Sequence, residues 1–155
     1  MVEPEPLRRG KAFQRLVQAD FERHSRDGRV RREAGVSFAD PAGTRRPGGR
    51  ADILITELGD FVALYEIKAT DWDRIAPHRI KPNLWRHQRQ LFSYVETFVE
   101  LDGLSVCLGL IYPEPPRRPG LRAEIEAYLE DYGVPAYWFS EIRNAEETAG
   151  TGGSR

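Results

Sequence analysis

Residues Gly48 to Trp72 read GGRADILITELGDFVALYEIKATDW. Two apolar runs, Ala51–Thr56 and Phe61–Ile67, flank Glu57-Leu58-Gly59-Asp60. Both are rich in β-formers, and a Gly-containing connection between two such runs predicts a β-hairpin. Three charged residues interrupt it: Asp52, Glu66 and Lys68. Side chains alternate along a strand, so Glu66 and Lys68 share a face with Val62 and Leu64, and Asp52 shares one with Leu54. The loop length decides whether the two sets meet. A loop of two or four residues pairs Asp52 with Tyr65 and turns Glu66 away. A three-residue loop, Leu58-Gly59-Asp60, pairs Asp52 with Glu66. Gly59 can supply the left-handed residue that such loops favour, so the odd-length loop is expected.

Two carboxylates side by side each raise the cost of ionising the other. A hard cation between them removes that cost. Mg²⁺ takes oxygen ligands and often uses one or two carboxylates plus substrate phosphate. Lys68, on the same face, puts a positive donor beside such an ion. Acid, acid and amine in the order D-x(13)-E-x-K suit phosphodiester chemistry, in which a metal polarises the phosphate and acidifies water and an amine orients that water and offsets charge.

The stretch resembles the PD-(D/E)XK, or restriction-endonuclease-like, nuclease superfamily. Asp52, Glu66 and Lys68 match its acid, acid and lysine, and Ala51 stands where the family has Pro. Downstream, Gln90 and Tyr94 spell the Q-x-x-x-Y of its RecB-like branch. The resemblance implies a metal-dependent DNA endonuclease or exonuclease using Mg²⁺, with Mn²⁺ as a substitute. Asp52, Glu66 and the Ile67 carbonyl would hold the ion, Lys68 would position water, and Gln90 and Tyr94 would support substrate or lysine. The family's first helix often adds an acid, and here Glu22 is the carboxylate on the Gln14–Gln18–Glu22 flank, with Gln14 nearer the usual position. The alternative is a nuclease-fold DNA-binding subunit, or a toxin, restriction or transposition module, without cleavage of its own. A homodimer or partner subunit is compatible with either.

The rest of the chain fits one domain. Its 155 residues, 40% hydrophobic and 30% charged, suffice for an unstapled core. A single cysteine, Cys107, excludes an internal disulfide and reads as a small core residue. No apolar run reaches a membrane span of roughly 18 residues, and no secretion-signal core opens the chain, so a cytoplasmic protein away from membranes is expected. Residues 1–50 hold 12 Lys and Arg against 7 Asp and Glu, and this basic third suits a polyanion. Arg50, Arg79, Lys81 and Arg86 are the candidate nucleic-acid contacts.

Hydrophobic spacing predicts an irregular leader over 1–9, a helix from Lys11 to about Ser25, and a strand over Arg29–Phe38. Asp40–Gly49 reads as a turn before the hairpin, and Thr70–Asn83 as a polar connection. Leu84 to about Leu101 reads as a helix, with Arg86, Gln90 and Tyr94 on one stripe. Leu104–Tyr112 reads as a buried strand, Leu121–Tyr132 as a helix, Val134–Ser140 as an edge strand, and 143–155 as a flexible tail. The expected fold is α/β over residues 10–142: an αβββαβ restriction-endonuclease-like core with an added C-terminal α-β unit, its central mixed sheet flanked by helices.

Overall fold

The computed structural model describes residues 2–24, 29–39, 45–56, 61–102 and 105–150, with backbone alone at 33–39, 45–50, 61 and 96–102. The elements are α1 (Glu5–His24), β1 (Arg29–Ala39), β2 (Arg45–Thr56), β3 (Phe61–Ile67), a 3₁₀ turn (Trp72–Arg74), α2 (Pro77–Asp102), β4 (Ser105–Tyr112), α3 (Leu121–Glu130), β5 (Ala136–Trp138) and α4 (Phe139–Gly150). Among the described residues the strands form one open mixed sheet in the order β1-β2-β3-β4-β5. The first two pairings are antiparallel, and β3–β4 and β4–β5 are parallel.

Alternation along the strands divides the core between the two faces of the sheet. Leu54, Val62, Leu64, Leu110 and Tyr112 pack with Leu84 and Leu91 of α2 and with Ile125 of α3. Ile53, Ile67 and Ile111 pack with Val17 of α1 and Phe139 of α4. The sheet is thus sandwiched between helices, and each buried Leu or Ile removes a side chain worth roughly 1.5–3 kcal/mol from water. Gly109 of β4 is required by close approach. A Cβ there would lie 2.6 Å from the Tyr65 ring and 2.8 Å from that of Tyr137.

Several boundaries differ from expectation. Helix α1 begins at Glu5, inside the expected leader. Pro6 falls in the first turn, where a missing N–H is harmless, and the Leu7 and Arg8 amides both bond the Pro4 carbonyl at 3.1 Å. Helix α2 begins at Pro77, about two turns before Leu84, and keeps Pro82 inside it. Ile80, 4% exposed, extends the inward stripe of Leu84, Gln88 and Leu91 upstream. Strand β2 starts at Arg45, where a turn was expected, and its pairing with β1 shifts register between Val36 and Ser37. The expected edge strand shortens to three residues because Phe139 opens α4, which occupies most of the expected tail. Cys107 is exposed rather than buried. It lies in the first half of β4, where the burial of the second half has not begun.

Candidate functional site

The β2–β3 register pairs Ile53 with Tyr65, Leu54 with Leu64 and Ile55 with Ala63. One step further along the same register, Asp52 stands opposite Glu66. The loop residues 57–60 lie outside the described residues. The strands part at this step, and side chains replace the ladder. The Gln18 amide donates to the Asp52 carbonyl at 2.8 Å, and the Ile67 amide donates to Asp52 Oδ2 at 2.8 Å. Gln14 Nε2 donates to Asp52 Oδ1 at 2.8 Å. Each Asp52 oxygen therefore accepts one bond and keeps a second lone pair.

Glu66 is 1% exposed. Burial first, and the adjacent Asp52 carboxylate second, raise its pKa to about 8, against downward pulls from Lys68 and the Tyr94 hydroxyl. Its Oε1 is buried without a hydrogen-bond partner. Lys68 Nζ stands 3.7 Å from Glu66 Oε2 and donates to Gln90 Oε1 at 2.6 Å. Gln90 Nε2 donates to the Tyr94 hydroxyl at 3.2 Å, and that hydroxyl bonds the Glu66 carboxylate. Burial raises the Tyr94 pKa to about 12, so the phenol keeps its proton. Lys68, Gln90, Tyr94 and Glu66 thus close a ring between the end of β3 and the α2 flank. The i, i+4 spacing of Gln90 and Tyr94 lets the two reach the same strand end.

No protein-family model matches this chain, and no curated protein matches it.

Glu22 does not join the site. Arg32 of β1 holds it by two bonds, 2.5 Å from Nε and 2.7 Å from Nη2. Two helical turns, about 12 Å, separate it from Gln14. The first helix therefore reaches Asp52 through Gln14 and Gln18. Arg79, Lys81 and Arg86 are exposed on the first turns of α2, and the Arg86 guanidinium bonds Asn83 Oδ1. The side chain of Arg50 lies outside the described residues.

Three features escaped sequence reading. His87 bonds the Tyr112 hydroxyl at 2.9 Å through Nδ1. Burial, then the charges of Lys68 and Arg86, lower its pKa to about 3, so it is neutral. Its signal is its spacing, three residues after Leu84 and four before Leu91 of the inward stripe. Trp85 is 48% exposed with the Arg89 guanidinium 5.0 Å over its ring, and with Lys81 and Arg89 it makes an i, i+4, i+8 row. Asp20, His24 and Glu146 bring ligand atoms within 4.8 Å of one another at the far end of α1. His24 Nδ1 is there 3.0 Å from the Asp20 carbonyl oxygen.

No helix among the described residues is long and apolar enough to cross a membrane.

Proposed function

We propose that this chain is a divalent-metal-dependent nuclease of the PD-(D/E)XK type. The run α1-β1-β2-β3-α2-β4 is read as its core, extended by α3, β5 and α4. The observation that carries the reading is the acid pair, half-buried Asp52 beside buried Glu66, with Lys68 Nζ 3.7 Å from Glu66 Oε2. The donor set fits a hard cation. Glu66 has an orphaned buried oxygen, Asp52 keeps lone pairs, and the acids repel unless a proton or a cation lies between them.

Asp52, Glu66 and the Ile67 carbonyl would hold the ion. Bound Mg²⁺ or Mn²⁺ would supply Lewis-acid polarisation of a phosphate and a more acidic water. Gln14 and the Ile67 amide fix the Asp52 carboxylate by one bond on each oxygen. Gln90 holds the Lys68 ammonium, and Tyr94 holds Gln90 and Glu66 together. Lys68 orients the attacking water and offsets charge gathering on the phosphate oxygens as one P–O bond forms and another breaks. Arg79, Lys81 and Arg86, with Trp85 and Arg89, offer charge and a stacking ring along α2. DNA is the substrate class this reading favours.

The test is incubation of purified protein with labelled single-stranded and duplex DNA and RNA plus Mg²⁺ or Mn²⁺. Cleavage by the wild type that disappears in Asp52→Ala and Lys68→Ala supports the proposal. Cleavage that survives both substitutions, or no cleavage of any substrate, rejects it.

A further inference from the structure

A cavity of about 380 Å³ opens beside the acid pair, lined by Pro6, Leu7, Gly10, Lys11 and Gln14 of α1 and by Ile67–Thr70. Positions 7, 10, 11 and 14 recur at i, i+3, i+4 and i+7, so one face of the helix makes that wall. The charged groups lining the cavity are two amines, Lys11 and Lys68, and no carboxylate lines it. The ammonium of Lys11 is paired with the Glu3 carboxylate just ahead of the helix, so a phosphate arriving there takes the place of Glu3. A larger cavity, about 720 Å³, is unlike it: Asp71, Asp73 and Glu114 balance Arg74, Arg117 and Arg118. Much of that charge is already used. Asp73 accepts from the Arg117 and Arg118 amides at 2.9 and 3.1 Å, and Arg74 pairs with Asp71 at 3.3 Å. What sets the smaller cavity apart is that its own lining holds amines and no carboxylate.

Gly10 is the unexpected residue in that wall. It lies inside a 20-residue helix, and glycine is the poorest helix former after proline. Neither common reason for a glycine applies. Its φ is not positive, and a Cβ built there meets nothing within 4 Å. One turn onward the same face carries Gln14, which bonds Asp52. A residue without a side chain thus borders open space, one turn from Gln14, the partner of Asp52, and next to Lys11.

We propose that a nucleic-acid strand crosses α1 at Gly10, its sugar–phosphate backbone filling the space a side chain would take and one phosphate pairing with Lys11. This rests on the nuclease reading above and adds the path of the strand. Backbone contact of this kind positions the substrate without reading its sequence. It also sets Lys11 and Lys68 on the same strand, one at each side of the cavity.

The experiment compares wild type with Gly10→Ala, Gly10→Leu and Lys11→Ala. Affinity for labelled single-stranded and duplex oligonucleotides is measured in Ca²⁺, cleavage in Mg²⁺, and melting by circular dichroism. Gly10→Leu should melt no lower than wild type, because leucine favours helix and the space is open. It should nonetheless bind at least tenfold more weakly and cut proportionately less, with Gly10→Ala between. Lys11→Ala should lower the slope of log affinity against log salt by about one. A folded Gly10→Leu that binds and cuts like an active wild type overturns this inference and leaves the nuclease reading standing. So does a Gly10→Leu that melts well below wild type, since the space would then not be open. A wild type that neither binds nor cuts overturns the nuclease reading, and this one with it.

Discussion

A carboxyl group 1% exposed beside a second carboxylate must keep a proton or gain a cation. For Glu66 this gives a pH dependence of known sign. Its pKa is about 8 in the folded chain and near 4.5 when exposed. Between those values the folded state holds a proton that the unfolded state lacks, so metal-free stability falls as pH rises from about 4.5 to about 8. Denaturant midpoints across that window should show the fall, and Glu66→Gln should flatten it. Equal slopes in the two proteins would refute the burial argument. Lys68 acts on rate. Lys68→Met should lower cleavage by roughly 10²–10³, the range for losing one preorganised charge-stabilising donor, while cation binding persists. Single-turnover rates and cation titration together separate the two effects.

At the scale of elements, α2 carries the support. Neutral His87 sits among Trp72, Tyr112 and Lys68, with ring centroids 5.9 Å from Trp72 and 5.8 Å from Tyr112. Its pKa is lowered to about 3 from 6.5, so its contribution is complete above about pH 6.5 and is lost as pH falls toward 3. His87→Gln should make acid unfolding shallower through that range, a slope opposite in sign to that of Glu66. Helix α4 is equally part of the fold. Phe139 is 4% exposed and meets Phe13 edge-on at 5.8 Å, while Glu141 bonds Arg122 at 2.5 and 3.0 Å. Phe139→Ala should destabilise by about 3–5 kcal/mol in chemical denaturation. A loss below about 1 kcal/mol would mean that α4 is not docked.

At the scale of the whole molecule, the sheet was legible because alternation is a two-residue signal. Asp52, Leu54, Val62, Leu64 and Glu66 follow it without exception, and the β2–β3 register brings the acids level. Helix ends were less legible, because prolines act differently by position. Pro6 lies in the first turn of α1 and Pro82 beyond the first turn of α2, in stretches expected as a leader and a polar connection, and nearly two turns of each helix lie there. Glu22 was singled out for its charge, yet Arg32 lay within reach on β1, and a pairing between elements 10 residues apart leaves no periodic trace. Gln14 and Gln18 were visible as a stripe, but only packing of α1 on the parted ends of β2 and β3 gives them Asp52. The tail was judged on composition, and a helix held by Phe139 and Glu141 depends on partners distant in sequence.

The most direct test of the acid pair is calorimetric titration of Mn²⁺ into nucleic-acid-free protein carrying His24→Ala, which removes the imidazole at the other end of α1. One site should bind with proton release near pH 7, and Asp52→Asn or Glu66→Gln should each abolish it while Lys68→Met retains it. Binding unchanged by both acid substitutions, or no binding at all, would contradict the account.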